Sequence, residues 1–331
     1  MCRILVVGDL HFSERSAKII PILMQEITQQ TIQQQPDCVI FLGDTLDRFR
    51  VIDSVWHGMA TDFMVAMSKL TQVVLLIGNH DIPNKLYFMS EEHGFRALRH
   101  ITNITIVDTE ATEIIVGKYK FLGVPYCPNG RFQEGVDTYR GNIKEIKAIF
   151  CHQEFRGCVM NGISSKHGDC WPVDNTYIIS GHIHERHHPQ VNIHYPGSPY
   201  QDKSDENPDK SISLYTFENN LYPKEERIWL NVPKKLRLKI TAKEYGTLKI
   251  DPKNVYVITV SGLESQLAKY RISEKTDLIT TNGGKVNFKA IDSVSQETIK
   301  KFDSIPTIKE MVSEAIKSTE YLHRIHALVY S

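Results

Sequence analysis

Residues 3–11 read Arg3-Ile4-Leu5-Val6-Val7-Gly8-Asp9-Leu10-His11, four aliphatic residues that stop at Gly-Asp-x-His. The same phrase returns twice. Residues 38–42 form an apolar run that stops at Gly43-Asp44, and residues 73–77 another that stops at Gly78-Asn79-His80-Asp81. Short apolar runs without polar alternation predict strands buried on both faces. The amphipathic segments between them predict helices over about 16–34 and 51–69. A β-α-β-α-β order predicts an α/β fold with a parallel sheet, and in such sheets chemistry collects on the loops beyond the strand C-termini. Each of these three strands ends in a glycine followed by a side chain able to bind a metal.

Further along, the pattern becomes richer in strands. Runs are expected at Ile104–Val107, 114–116 and 119–122, with a helix near 141–145. A strand at 148–151 ends at His152, and one at 177–180 ends at Gly181-His182-Ile183-His184. More strands are expected at 191–195, Ser211–Phe217 and 227–231. The polar stretch 201–210 (QDKSDENPDK) reads as a loop. The pattern changes near Val232-Pro233. Residues 232–331 lack strands ending in Gly-Asp, contain alternating strands at 236–240 and 255–260, and close on an amphipathic helix expected at 307–329. Two domains follow, 1–231 and 232–331.

Composition sets outer limits. The 331 residues are 41% hydrophobic and 24% charged, which excludes a disordered, collagenous or repeat-built chain. The six cysteines form no Cys-x-x-Cys pair, and Cys151 is expected to pack beside His152, so reduced thiols in a cytoplasmic setting are expected. The longest aliphatic run, 73–77, is far short of a membrane span, and nothing at the N-terminus reads as a signal peptide. Lys and Arg total 39, as do Asp and Glu, but the charges are unevenly placed. Residues 232–331 hold 17 basic and 11 acidic side chains, and residues 1–231 hold 22 and 28. A basic appendage beside an acidic, metal-binding domain is what contact with a phosphate backbone requires.

The chemistry resides in Asp9, His11, Asp44, Asn79, His80, His152, His182 and His184. In Asp-x-His and His-x-His, alternate residues of an extended segment project the same way and reach one centre. A lone histidine at a strand end is more often packed than ligating, but five strand ends carrying ligand-type residues are not explained that way. Mixed carboxylate, imidazole and amide donors suit Mn²⁺, Zn²⁺ or Fe²⁺. Seven such donors exceed one tetrahedral site and fit two ions sharing a carboxylate. Two ions about 3.5–4 Å apart lower the pKa of a water and hold both oxygens of an in-line phosphoryl displacement.

The ordered blocks Gly8-Asp9-Leu10-His11, Gly43-Asp44 through Asp47, Gly78-Asn79-His80-Asp81, His152 and Gly181-His182-Ile183-His184 resemble the calcineurin-like metallophosphoesterase superfamily. The resemblance implies a four-layer α/β/β/α sandwich and two divalent ions, with Mn²⁺ expected and Mg²⁺, Zn²⁺ or Fe²⁺ as alternatives. Asp9, His11, Asp44 and His184 would hold one ion. Asp44 would bridge to a second held by Asn79, His152 and His182. His80 would steady the scissile phosphate and protonate the leaving oxygen, with the Asp47 carboxylate orienting it and Arg48 touching phosphate.

Tyr195-Pro196-Gly197-Ser198-Pro199 and the basic appendage are similar to the SbcD-type nuclease branch, in a short form like those of large phages. That branch implies DNA as substrate in double-strand-break processing and recombination, an α+β DNA-capping domain and a homodimer using helices near 50–70 and 85–100. With no nucleotide-binding loop of the Gly-x-x-x-x-Gly-Lys type in the chain, it also implies an SMC-like ATPase partner of SbcC type, to which the 307–329 helix is a candidate docking element. Gly43-Asp44-Thr45-Leu46-Asp47-Arg48 departs from the usual Gly-Asp-x-x-His of nucleases towards the protein phosphatase form. A phosphoprotein phosphatase or small phosphodiesterase, or a non-catalytic scaffold, are the alternatives. His57, His93, His100, His187, His188, His323 and His326 are read as surface or boundary residues, and His167 lies in a loop (161–169) that could touch substrate.

Overall fold

A computed structural model of the chain describes residues 1–160, 162–203 and 205–291. The expected helix at 307–329 lies outside the described residues. The chain divides after Leu236 into two compact units.

The first unit begins as its sequence predicts. Strands β1 (Cys2–Val7), β2 (Cys38–Phe41), β3 (Gln72–Leu76) and β4 (Ile104–Val107) alternate with helices α1 (Ile20–Gln34) and α2 (Ser54–Ser68). Proline opens α1, and a left-handed Gln35 (φ 46°) closes it. The Asp53 side chain caps α2 by accepting from the Val55 and Trp56 N–H groups. Next come β5 (Thr112–Val116), β6 (Tyr119–Val124), the short helix α3 (Phe132–Asp137) and β7 (Ile146–His152). A two-stranded hairpin, β8 (Val159–Met160) and β9 (Ile163–Ser164), precedes β10 (Ile178–Gly181), β11 (His187–Gln190), β12 (Ile193–Tyr195), β13 (Ser211–Phe217) and β14 (Lys224–Trp229).

Two six-stranded sheets result, ordered β14-β13-β1-β2-β3-β4 and β11-β12-β10-β7-β6-β5. In the first, β1 to β4 are parallel, and β13 closes antiparallel on β1. In the second, β6, β7, β10 and β12 are parallel. Strand alternation assigns each side chain to a layer. Ile4, Val6, Ile40 and Val74 face Phe121, Ala148, Phe150 and Ile179 in a dry core between the sheets. Leu5, Val7, Val39, Phe41 and Leu75 face Leu23, Ile27, Phe63 and Met67 of α1 and α2. On the far side Leu122, Ile149, Cys151 and Ile178 pack against Phe132, Phe155, Trp171 and Tyr195. The order is α/β/β/α, with the last layer reduced to α3 and the connections around it.

Two local expectations shift. The helix foreseen near 141–145 is a single 3-10 turn, Ile143–Glu145, capped by Asn142. Between residues 85 and 100 the only helical piece is the 3-10 turn Arg96–His100, because Pro83, the Asn84 side chain holding the Leu86 N–H, and Gly94 keep the chain in turns. A dimer helix is therefore not available there.

The second unit is α+β over its described part. A sheet ordered β15 (Lys235–Thr241), β16 (Val255–Gly262), β17 (Lys285–Ala290) has β16 and β17 parallel. Along β16, Tyr256, Ile258 and Val260 are buried. Helices α4 (Ala242–Thr247), α5 (Glu264–Arg271) and α6 (Glu274–Thr281) contribute Tyr245, Leu267 and Ile279 to the same buried set. Among the described residues, no helix is long and apolar enough to cross a membrane.

Candidate metal centre

Parallel strands deliver their C-terminal ends to one edge, so the five motif-bearing ends meet there. Asp9 and His11 follow β1, Asp44 follows β2, and Asn79 and His80 follow β3. His152 ends β7, while His182 and His184 follow β10. Three of these residues have left-handed backbones: His11 (φ 45°), Asp44 (φ 49°) and His182 (φ 77°). Non-glycine residues adopt that region at a cost, and such strain clusters at functional sites. The glycines before the ligands leave room for close approach. A Cβ on Gly181 would lie 2.6 Å from the Leu42 carbonyl oxygen, 2.8 Å from Asp9 Oδ1 and 2.9 Å from His152 Nδ1.

Three trios emerge among the described residues, each with its ligand atoms within 4.8 Å of one another: Asp9, His11 and His184; Asp44, His152 and His182; and His11, Asp47 and His80, which shares His11 with the first. In the first, His11 Nε2 is 3.0 Å from His184 Nε2, and Asp9 Oδ2 is 3.4 Å from His184 Nε2. In the second, Asn79 Oδ1 sits 2.8 Å from His182 Nδ1 and 3.0 Å from His152 Nε2. Asp44 faces both. Its Oδ2 lies 3.2 Å from His152 Nε2, 4.0 Å from His11 Nε2 and 3.9 Å from His80 Nε2. Its Oδ1 accepts the His80 backbone N–H at 2.7 Å.

Backbone carbonyls select the tautomers. His152 Nδ1 donates to the Leu42 carbonyl at 2.7 Å, so Nε2 is the ring atom that faces Asn79 and Asp44. His80 Nδ1 donates to the Asp47 carbonyl at 2.6 Å, so its Nε2 points towards Asp44. This corrects the expected carboxylate–imidazole pair. The Asp47 carboxylate instead takes Arg15 Nη2 on both oxygens, at 2.8 and 2.6 Å, and stands 3.7 Å from His11 Nδ1. The hydrogen bond to His80 comes from the Asp47 carbonyl, while the Asp47 carboxylate stays within 4.8 Å of ring nitrogens of both His11 and His80.

The residues fit two divalent cations. Asp9 Oδ2 and His11 Nδ1 are buried without hydrogen-bond partners, an expensive state for polar atoms unless something else completes them. The electrostatics agree. Burial, with Asp44 acting in the same sense, pushes the Asp9 carboxyl above its ordinary value despite His152 and His184. Burial and His184 hold His11 well below the usual imidazole range, and burial and His152 bring His182 down to about 3. Burial opposes protonation of His152 too, yet Asp44 outweighs it and raises His152 to about 9. Asp44 therefore demands a nearby positive charge, and neutral His11 and His182 have lone pairs to offer one.

Other residues find plainer roles. Arg48 is exposed on the loop beyond Asp47 and makes no ion pair among the described residues. Cys151 is buried, as expected. His167 is exposed in its loop. His93, read as a surface or boundary residue, is buried against Asp108 at 2.9 Å, and His187 packs on Tyr195 while accepting the Val159 N–H at 3.0 Å. Asp81, quoted in the motif but given no role, is buried and accepts the N–H groups of Gly78, Thr45 and Leu46, tying the β3 loop to the β2 loop. Phe49 packs against His80 with 4.3 Å between ring centroids and the rings tilted by 31°. Its position two residues past Asp47 was the only hint in the sequence, and Arg15 gave none.

A family model described as calcineurin-like phosphoesterase matches residues 2–186. The chain is 30% identical over 322 residues to a protein named "Putative phosphoesterase 078R" in Invertebrate iridescent virus 3, covering 96% of this chain and 92% of that one. It is 35% identical over 272 residues to the like-named 244L of Invertebrate iridescent virus 6, covering 80% of this chain and 95% of the relative. Yfce, a phosphoesterase from E. coli, aligns with a TM-score of 0.34 at 12% identity, covering 69% of this chain and all of its own. With the motif blocks converging on one edge and the match spanning both sheets, the chain belongs to the calcineurin-like phosphoesterase family, whose members are metal-dependent phosphoester hydrolases.

Proposed function

We propose that this protein is a two-metal phosphodiesterase that cleaves DNA, with Mn²⁺ as the preferred ion. The observation that carries the reading is an arginine-rich cavity wall built from residues flanking the Asp47–His80 contact. Arg48, Arg50 and Arg96, all exposed, line a cavity of about 280 Å³ together with Asp81, Glu92 and His93, three cations against two acids. Exposed arginines beside the group that would protonate the leaving oxygen suit a leaving group that carries further phosphates, as a nucleic-acid strand does. The Phe49 ring on His80 adds a surface on which a base can stack. The excess of basic over acidic residues in 232–331 supports the same partner.

Asp9, His11, Asp44 and His184 would hold one ion, and Asp44, Asn79, His152 and His182 the other. The pair supplies an activated water and neutralises charge on the phosphoryl oxygens. The chain's own contributions are positional and acid–base. The Asp47 carbonyl fixes His80 with its Nε2 facing the centre, where a proton on that atom passes to the departing oxygen as its bond to phosphorus breaks. Arg48 anchors phosphate. In this reading the protein acts as a homodimer with an SMC-like ATPase partner of SbcC type in break processing and recombination, and the second unit caps DNA. A phosphoprotein phosphatase is the second reading, favoured by the exposed Arg48 directly after Asp47.

The test is cleavage by purified protein in Mn²⁺ of end-labelled linear DNA, a phosphopeptide and an aryl phosphodiester, each with and without chelator and with an SbcC-type ATPase supplied. Chelator-sensitive cutting of DNA is expected. Hydrolysis of the phosphopeptide with DNA intact would sink the nuclease reading in favour of the phosphatase. No turnover of any substrate, with wild type equal to His80→Ala, would favour a scaffold.

A further inference from the structure

The loop over 201–210 looked in sequence like a solvated connection. It is instead tied to a residue of the metal centre. Glu206 is 10% exposed, and its Oε1 accepts from His184 Nδ1 at 2.9 Å. Its other oxygen accepts the Asp202 N–H at 3.2 Å and stands 3.1 Å from Lys210 Nζ. Gln201 Nε2 donates to the Glu206 carbonyl at 2.9 Å. Lys210, itself buried, returns to the same histidine by donating from Nζ to the His184 carbonyl at 2.8 Å. The side chain and main chain of His184 are thus both held by this loop.

The consequence is chemical. A carboxylate only accepts, so His184 Nδ1 carries the hydrogen and its Nε2 lone pair faces Asp9 Oδ2 and His11 Nε2. His152 obtains the same orientation from the Leu42 main-chain carbonyl just past β2, whereas His11 Nδ1 has no hydrogen-bond partner. Within the Asp9–His11–His184 trio, Glu206 is therefore the group that fixes an imidazole. A carboxylate behind a ligating imidazole also raises its basicity, and losing such a partner typically lowers metal affinity about 10–100-fold.

We propose that Glu206, itself clamped by Lys210, is a positioning residue that orients His184 and sets the affinity of the ion held by Asp9, His11 and His184. This rests on the reading of His184 as a metal ligand. The experiment is calorimetric titration of the chelator-stripped full chain with MnCl₂, alongside thermal melting of the metal-free protein and Mn²⁺ electron paramagnetic resonance. For Glu206→Ala, one of two binding steps should weaken about 10–100-fold with the other step unchanged, while the metal-free protein loses only the local contacts to His184, Asp202 and Lys210. The coupled two-ion resonance signal should then be lost at low Mn²⁺. Glu206→Gln keeps an acceptor for the Nδ1 hydrogen without the charge and should fall between Glu206→Ala and wild type, and it also serves if the alanine variant does not fold. Wild-type affinity in both variants would overturn the proposal, as would equal weakening of both steps together with a lowered metal-free melting temperature. His184→Ala separates the two levels. If it binds both ions as wild type does, the ligand reading of His184 fails first.

Discussion

The Asp9–His11–His184 and Asp44–His152–His182 trios of the metal centre are held in different ways. His152, His182 and Asn79 hydrogen-bond among themselves, and His152 is pinned to the Leu42 carbonyl, so this half is organised by residues lying directly on strand ends. Asp9, His11 and His184 carry both unpartnered buried atoms of the centre and depend on side chains from distant loops, Glu206 behind His184 and Asp47 near His11. One half is set by sheet pairing. The other is left electrostatically incomplete, which is the condition under which a bound cation contributes most to order.

The strongest challenge to this division is Asp44→Asn. Asp44 faces both trios, so both Mn²⁺ binding steps should weaken, and hydrolysis of an aryl phosphodiester should fall about 10³-fold or more. If only one step changed, Asp44 would belong to one half alone. His80→Asn should cost about 10²-fold in kcat while both calorimetric steps keep wild-type affinity, because His80 belongs to neither the Asp9–His11–His184 nor the Asp44–His152–His182 trio. Loss of metal binding in this variant would move His80 into the ligand set.

Chelation should lower stability rather than merely stop turnover. One ion at 100 times its Kd stabilises the folded chain by about 2.7 kcal/mol, and the melting temperature should return when Mn²⁺ is restored. Amide hydrogen exchange on chelation should rise first around Asp9, His11 and the 201–210 loop, and least around β7 and β10. Equal protection in both regions would erase the distinction between the halves.

The smallest expected effect comes from another carboxylate–imidazole pair, one outside the metal-binding trios. His93 Nε2 donates to Asp108 at 2.9 Å, and its Nδ1 accepts the Phe95 N–H at 3.2 Å, so no lone pair remains for a metal. Arg99 also pairs with Asp108. Burial raises the Asp108 carboxyl, but His93 and Arg99 outweigh it and leave the carboxyl below its ordinary value. A depressed folded-state value means that the contribution to stability is complete above about pH 4 and is lost as pH falls through the folded value. Asp108→Asn should therefore cost about 1–2 kcal/mol at pH 7, with wild type and variant converging below about pH 4. The difference should be the same with and without chelator. A chelator-dependent difference would link His93 to the metal centre.

Much of the centre was readable in the chain because ligand residues directly follow apolar strands, and strand parity aims Asp-x-His and His-x-His at one point. What escaped reading depended on separation. Glu206 lies 22 residues beyond His184, with the two strands β11 and β12 between them, and nothing in QDKSDENPDK marks one acid as different from its neighbours. The Asp47–His80 contact was foreseen with the wrong atom, because whether a side chain or a carbonyl meets an imidazole is decided by backbone dihedrals. Here Asp44 at φ 49° begins the turn that presents the carbonyl, and Arg15 occupies the carboxylate.

The sequence by itself determined the α/β class, the strands that end in ligand-type residues, the identity of those residues and the family they announce. Each of these is local, a matter of hydrophobic period and of which residue follows a strand. Only the tertiary structure decided which atoms face one another: which tautomer each histidine keeps, that Asp44 looks both ways, and that a polar loop returns to hold His184. Those follow from strand order, since β13 pairing with β1 brings the chain just before it to the edge where β10 ends. Long-range pairing is cooperative over the whole core and has no signature in any single segment.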